Sequence, residues 1–256
     1  MRYVRYEVGF VGPKYGWILE DKVGELQGTP FGEYRRMEAD LPIERVRLLP
    51  PVLPGKIIGI HQNFPGSVTD AAPEFPKIPR LYLKPPSSII GSGQKIVLPV
   101  QSRQVVHEVH LGVVIGRTGR WITPEDAIDY IFGFTIATEF SARDLELEDN
   151  HSDRARAFDT FLSIGPWVET DLDVTDLLMT CRVKDELRQM ASTREMIFTV
   201  PQLVAFISSI MTLDPGDLIL AGTPVGSDAL VPGDIVQSSI EGIGDLVNPV
   251  WLECLE

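Results

Sequence analysis

Short apolar runs separated by glycine and proline fill the chain from residue 56 onward. Runs of roughly four to eight residues between such breaks are typical of buried strands. The pattern predicts strands at Lys56–Ile60, Arg80–Lys84, Lys95–Val100, Val105–Ile115, Phe134–Phe140, Gly165–Glu169, Met179–Val183, Asp217–Ala221, Asp234–Ile240 and Leu246–Glu253. Before residue 56, short alternating stretches at Tyr3–Phe10 and Gly16–Leu26 precede a proline-rich segment with the composition of a linker.

Helices are few in this pattern. One is predicted from Thr123 to about Phe132, with Pro124 in its first turn, and another from Val200 to about Met211. The sequence therefore predicts an α+β protein that is mostly β, a strand-rich roll or barrel flanked by a few helices.

The net charge of the chain argues against two classes of binding partner: nucleic acids and membrane surfaces. The chain has 23 Lys and Arg against 36 Asp and Glu, a net charge of −13. Such a surface repels phosphate backbones and anionic lipid headgroups, so neither nucleic acid nor a membrane surface is an expected partner. Cys181 and Cys254 form no Cys-x-x-Cys pair, and the first ten residues lack a secretory pattern. A reduced, cytoplasmic setting is therefore expected.

The segment HEVHLGVVIG contains the first candidate functional residues, because one acidic and one imidazole side chain of this segment share a strand face. Side chains alternate along a strand, so Glu108 and His110 point to one face while His107 and Val109 point to the other. Glu108 and His110 are candidate metal ligands, or they line a solvated face and pair with each other.

A second candidate lies in the segment FGFTIATEFSARD. Glu139 stands in an otherwise apolar strand, where an ionised carboxylate is costly unless it is paired. Arg143 is one candidate partner. The alternative is a metal site that Glu139 shares with Glu108 and His110, a set of two carboxylates and one imidazole with open positions for substrate.

These segments resemble the fumarylacetoacetate hydrolase family, as do LLPPVLPGKIIGI, YLKPPSSIIGSGQKIVLP, FDTFLSIGPWV, LDPGDLILAGTPVG and VPGDIVQSSIEGIGDLVN. The resemblance implies a small N-terminal domain at residues 1–50 and a mixed β-sandwich roll at residues 51–256. It also implies a divalent metal, a 2-oxo or 1,3-dicarbonyl acid as substrate, and an enolate formed during carbon–carbon hydrolysis, decarboxylation or tautomerisation. Family members commonly form homodimers.

The metal ligands depart from the family pattern. His110 stands where the resemblance implies a second glutamate, and Glu139 stands where it implies an aspartate. The family resemblance implies Mg²⁺ or Mn²⁺, and an imidazole shifts the preference toward Mn²⁺, Fe²⁺, Ni²⁺ or Zn²⁺. A degraded metal site is the alternative.

The lid segment departs further. Family hydrolases carry a histidine and a glutamate that activate water, and this chain has Ser67 and Asp70 at those places. Serine cannot act as a base near neutral pH. His61, just upstream, is a candidate replacement base, and Asp70 is another. An ordinary packed or solvated histidine is the alternative for His61.

Three more residues enter through the resemblance. Arg156 replaces the family lysine and is expected to clamp a substrate carboxylate, unless it is a surface arginine. Gln189 and Thr223 are expected to bind substrate oxygens. The expected function is a metal-dependent enzyme that performs carbon–carbon hydrolysis or decarboxylation of a small oxo acid. A keto–enol isomerase and a non-catalytic binding or assembly protein are the alternatives.

Overall fold

The computed structural model describes residues 1–66 and 75–254. The strands are β1 (Arg2–Val8), β2 (Val11–Leu19), β3 (Lys22–Gly28), β4 (Tyr34–Pro42), β5 (Arg47–Leu49), β6 (Ile57–His61), β7 (Arg80–Lys84), β8 (Ile89–Ile90), β9 (Ile96–Leu98), β10 (Val105–Ile115), β11 (Ile131–Ala142), β12 (Leu162–Glu169), β13 (Leu178–Val183), β14 (Glu186–Ser192), β15 (Leu218–Leu220), β16 (Ile235–Ile240) and β17 (Gly244–Leu252). The α-helices are α1 (Arg143–Asp149), α2 (Asp153–Arg156) and α3 (Val200–Ile210).

These strands form two sheets, and the predicted mostly-β class is confirmed. The larger sheet has the order β4-β3-β2-β1-β12-β11-β10-β15-β6-β7, with β5 attached to β1 and β8 to β12. The smaller sheet has the order β14-β13-β16-β17-β9. Helix α3 covers part of the core with Leu203, Val204 and Ile207, all fully buried.

Strand β10 is buried along its whole length, so both of its faces meet protein. Val109 and Leu111 lie in the main apolar core, which also contains Met179 and Val236 of the smaller sheet. Residues of opposite parity, such as Val114, lie in a second core on the other face. Because side chains alternate along the strand, Glu108 and His110 share the face of Val114 and turn away from the smaller sheet.

The N-terminal strands continue the larger sheet. Strand β1 pairs antiparallel with β12 through Arg2↔Glu169 and Tyr3↔Val168. Tyr3 also belongs to the same apolar cluster as Ala137 of β11. The N-terminal strands therefore share both a ladder and a core with the strands that follow them.

Each of the ten predicted strands overlaps an observed strand, and the helix predicted from Val200 is confirmed as α3. The helix predicted from Thr123 to Phe132 is wrong. A single 3₁₀ turn, Ala127–Tyr130, forms there, because β11 already begins at Ile131, where it pairs with Ile115 of β10. The pattern also missed β4, β5, β8, β14, α1 and α2.

In the described part of the chain, a helix long and apolar enough to cross a membrane does not occur. Both cysteines are free thiols; Cys181 is buried and Cys254 is exposed.

Candidate active site

Two neighbouring strands bring a buried cluster of acid and imidazole together. Glu108 of β10 and Glu139 of β11 are direct partners in the antiparallel ladder. His110 Nε2 lies 3.8 Å from Glu108 Oε2 and 3.4 Å from Glu139 Oε2. One ligand atom from each of the three residues lies within 4.8 Å of the others, and all three residues are buried. Glu108 and His110 therefore share a face as expected, but this face is not solvated.

Cationic side chains surround the two carboxylates. Arg156, at the end of α2, places Nη1 2.8 Å from Glu108 Oε2 and 2.8 Å from Glu139 Oε2. Lys84 Nζ lies 3.1 Å from Glu139 Oε1, and Arg143 Nη2 lies 2.7 Å from Glu108 Oε1. Glu139 is thus paired with Arg156 and Lys84, whereas Arg143 pairs with Glu108. Arg156 itself is buried, so it is not a surface arginine.

These cations decide the protonation of the cluster. Burial alone would raise the pKa of Glu108, but Arg156 and then His110 and Arg143 hold that pKa well below its ordinary value. Burial opposes ionisation of Glu139 in the same way, and Arg156 and Lys84 lower its pKa. Both carboxylates are therefore ionised at neutral pH, which is the form that binds cations.

Strands β6 and β7 supply the wall beside Glu139. Tyr82 donates its hydroxyl hydrogen to Glu139 Oε2, and Lys84 Nζ donates to the backbone carbonyl of Arg156. The Tyr82 ring lies against Gly59, its partner in the β6–β7 ladder, where any side chain would collide with the ring. Glycine at this position therefore lets the tyrosine reach the carboxylate.

Gly222 sets the orientation of His110. The backbone N–H of Gly222 donates to His110 Nδ1 at 3.2 Å, which turns Nε2 toward the carboxylates. Among the described residues, this buried Nε2 has no hydrogen-bond partner. A neutral ring that accepts at Nδ1 carries its proton on Nε2, so ligation through Nε2 requires the other tautomer and gives up the bond from Gly222.

The donor set of the cluster suits a divalent ion. Two ionised carboxylates converge with a buried imidazole nitrogen that has no hydrogen-bond partner in the part of the chain that the structure describes; they belong to Glu108, Glu139 and His110. Mixed oxygen and nitrogen donors of this kind suit Mn²⁺, Fe²⁺ or Zn²⁺ better than Mg²⁺. The residues therefore fit a divalent ion, provided that the Arg156 guanidinium leaves the two carboxylates and that His110 changes tautomer and gives up the bond from Gly222.

A cavity of about 310 Å³ opens onto the cluster. Its lining includes His61, Arg80, Arg143, Arg156 and Thr223. A wider cavity of about 710 Å³ shares His61, Arg143 and Glu146 with it. A volume of this size accommodates a small organic acid. A third groove, of about 470 Å³, lies among the N-terminal strands, where its lining residues Lys14 and Glu25 pair with each other at 2.6 Å.

His61, the last residue of β6, lines both cavities. Its ring is tilted against Tyr82, with 4.4 Å between the ring centroids. Burial and then the positive charge of Arg156 lower the pKa of His61, so its imidazole is neutral at pH 7. A neutral imidazole facing the cavity is able to accept a proton.

The remaining predicted residues fall in three places. Thr223 lines the cavity. Gln189 lies behind it, with Nε2 donating to Thr223 Oγ1 at 3.0 Å and to the Pro224 carbonyl at 2.6 Å, and with Oε1 accepting from Val109 N at 3.1 Å. In this structure Gln189 therefore positions Thr223. Ser67 and Asp70 lie outside the described residues.

Sequence reasoning missed Tyr82 and Lys84 as site residues. Both lie in β7, two positions apart, and both are buried. The signal was present in YLKPP, because the alternation that placed Glu108 beside His110 also puts Tyr82 and Lys84 on one face. A lysine that ends an apolar strand needs an acidic partner as much as Glu139 needs a cation.

Two family models match the chain. The model described as fumarylacetoacetate (FAA) hydrolase C-terminal covers residues 56–251, and the model described as Rv2993c-like, N-terminal covers residues 1–51. Among curated proteins, the mitochondrial oxaloacetate tautomerase FAHD2B of Bos taurus is 37% identical over 223 residues, which span 82% of this chain and 71% of the relative.

Solved structures share the whole architecture. The 5-carboxymethyl-2-hydroxymuconate delta-isomerase from Mycobacterium smegmatis superposes with a TM-score of 0.92 at 36% identity, over 99% of this chain and 100% of that one. Maleylpyruvate hydrolase from Sphingobium sp. SYK-6, solved in complex with manganese(II) and pyruvate, gives a TM-score of 0.82 at 27% identity, with 99% and 100% coverage. An isomerase, a hydrolase and a tautomerase are thus all similar to this chain.

Proposed function

The chain belongs to the fumarylacetoacetate hydrolase family, and we propose that it is a divalent-metal-dependent enzyme that converts a small 2-oxo or 1,3-dicarbonyl acid through an enolate. The observation that carries the proposal is the convergence of Glu108, Glu139 and His110, two of which, Glu108 and His110, line a cavity of about 310 Å³. The proposed ion is of the Mn²⁺, Fe²⁺, Ni²⁺ or Zn²⁺ type, because an imidazole replaces one carboxylate.

The proposed chemistry divides between the ion and the chain. When bound, a divalent ion supplies Lewis acidity toward the oxygens of the acid and so lowers the energy of the enolate. Glu108, Glu139 and His110 would hold it. Arg156 would bind the substrate carboxylate in a bidentate manner once it has left the two glutamates, and Thr223, which lines the same cavity, would orient the acid.

Keto–enol isomerisation is the net reaction that the described residues support best. This reaction needs one group that removes a proton from the carbon beside the carbonyl and delivers a proton to the enolate oxygen. In the opposite direction the same group moves the proton from the enol oxygen to the carbon. The neutral imidazole of His61, which lines the cavity, would be such a group. Carbon–carbon hydrolysis or decarboxylation is the second candidate, and hydrolysis additionally requires an activated water, for which Asp70 stays a sequence prediction.

The test uses oxaloacetate, whose enol form absorbs in the near ultraviolet. The Mn²⁺-loaded protein is expected to accelerate the decay of the enol signal beyond the rate in buffer with the same Mn²⁺ concentration. Glu108→Gln should abolish the acceleration. A rate equal to that of buffer would reject the tautomerase reaction, and binding of the acid without any turnover would favour a non-catalytic family member.

The setting and assembly of the enzyme remain proposals. A reduced, cytoplasmic location agrees with the two free cysteines. The homodimer and the domain division at residue 50 stay predictions from the sequence.

A further inference from the structure

A single nitrogen atom of Arg156 joins the two carboxylates of the cluster. Arg156 Nη1 lies 2.8 Å from Glu108 Oε2 and 2.8 Å from Glu139 Oε2. His110 Nε2 faces the same two oxygen atoms, at 3.8 and 3.4 Å. The guanidinium therefore uses the carboxylate oxygens that a divalent ion would need.

Arginine and ion cannot use these oxygens together. Carboxylate oxygens hold divalent transition ions at roughly 2.0–2.2 Å, with their lone pairs directed at the ion. Each carboxylate oxygen has two lone pairs, and Glu139 Oε2 also accepts the hydroxyl hydrogen of Tyr82, so the contact with Arg156 Nη1 leaves that oxygen no lone pair for an ion. Resting on the proposed function, we infer that Arg156 is a built-in competitor of the metal, and that it yields its place when a 2-oxo acid binds.

Charge explains why the acid is required. Three cationic side chains, Lys84, Arg143 and Arg156, contact the two carboxylates. A divalent ion would add two further positive charges to this buried site, where charges are weakly screened. Glu146 pairs with Arg143 at 2.7 Å and balances the third cation, so the excess is the charge of the ion itself. A substrate carboxylate reduces that excess, and it also offers the displaced guanidinium a planar, bidentate partner.

The consequence is a coupling between metal and acid. If Arg156 contacts both carboxylates in most molecules, only the remaining fraction of molecules can bind the ion. The apparent affinity for the ion then equals the intrinsic affinity multiplied by that fraction. An acid that binds Arg156 restores that fraction, and by reciprocity the ion tightens binding of the acid. The free enzyme would then reject stray divalent ions, while the substrate complex would hold one.

The experiment measures Mn²⁺ affinity from the electron paramagnetic resonance signal of free Mn²⁺, with and without saturating pyruvate, the smallest 2-oxo acid. Wild-type protein is expected to bind Mn²⁺ weakly alone and at least about tenfold more tightly with pyruvate. Arg156→Gln is expected to bind Mn²⁺ alone at least about tenfold more tightly than wild type, with little further gain from pyruvate.

Arg143→Gln is the matched control. It removes one positive charge from Glu108, at 2.7 Å, without opening the contact that bridges the two carboxylates. Its Mn²⁺ affinity should rise much less than that of Arg156→Gln, and pyruvate should still tighten binding. Should Arg156→Gln fail to fold by circular dichroism, Arg156→Lys, which keeps a buried cation, is expected to change affinity in the same direction.

The outcomes separate the two proposals. If wild type binds Mn²⁺ with pyruvate but Arg156→Gln binds it no more tightly alone, the competition is wrong and the metal-dependent function stands. If no variant binds Mn²⁺ with pyruvate present, the metal-dependent function itself is wrong. Equal gains in Arg143→Gln and Arg156→Gln would show a general charge effect and reject the competition.

Discussion

Glu108 and Glu139 stand directly opposite each other in the ladder of β10 and β11. Like charges at facing positions of a sheet repel, and this pair is fully buried. Arg156 Nη1 resolves the conflict by contacting both carboxylates at 2.8 Å. The local fold around the site therefore depends on a cation between the two strands, whether that cation is the arginine or an ion.

Removing the shared cation should destabilise the protein. Arg156→Gln leaves two buried carboxylates facing each other, and loss of one partner of a buried ion pair typically costs about 3–5 kcal/mol. Urea unfolding without divalent ions is expected to show a loss of that size. In the double variant with Glu139→Gln the loss should be smaller than the sum of the single losses, because the repulsion disappears.

Arg154→Gln is the comparison for that experiment. Arg154 lies in the same helix and pairs with Asp149 at 2.6 Å on the exposed surface. Little change in unfolding is expected. Equal losses in the Arg154 and Arg156 variants would contradict the special position of Arg156.

The close approach of Gly59 and Tyr82 gives a second prediction. A methyl group at Gly59 collides with the tyrosine ring and should push its hydroxyl away from Glu139. Gly59→Ala is expected to cost about 1–3 kcal/mol of unfolding free energy. Gly12→Ala, where a methyl group meets no atom within 4 Å, is the control and should be nearly neutral. A neutral Gly59→Ala would mean that the ring moves freely.

Enzyme activity should report the protonation of His61. Burial and Arg156 lower the pKa of His61, so the proton-accepting neutral form persists below the ordinary value of about 6.5. The profile of kcat/KM against pH is therefore expected to fall on the acid side only below about pH 6.5. His61→Gln should lower the rate and remove this limb. An unchanged profile in His61→Gln would assign the proton transfer to another group.

His110 should set the choice of metal. Replacing it with glutamate restores an all-oxygen donor set, which favours Mg²⁺ relative to Mn²⁺. The ratio of the two dissociation constants, measured with pyruvate present, is expected to shift toward Mg²⁺ in His110→Glu. His107→Gln, on the opposite face of β10 beside Cys181, should leave the ratio unchanged. The same ratio in wild type and His110→Glu would remove His110 from the ligand set.

Alternation along a strand made part of this site predictable. It predicted that Glu108 and His110 share one face of a strand. The apolar sequence around Glu139 indicated that a cation must pair with its carboxylate. The sequence could not show which cation pairs with Glu139. Arg156 lies in a four-residue helix, which is too short to show a periodic pattern, and Lys84 lies in β7, which is separated from β10 by β15 and β6 in the sheet. The helix expected from Thr123 does not form, again because of a contact that is distant in sequence. Ile131 pairs with Ile115 of β10 and is therefore part of a strand.

The pairing of β1 with β12 has a consequence for shortened chains. Strand β12 is hydrogen-bonded on its other side to β11, the strand that carries Glu139. Cutting away residues 1–51 would leave the Val168–Glu169 part of β12 unpaired, at a sheet edge one strand away from the strand that carries Glu139. Exposed sheet edges of this kind pair with other chains, so a truncated protein is expected to self-associate. A loss of activity on truncation would then result from aggregation and not from the loss of a catalytic group.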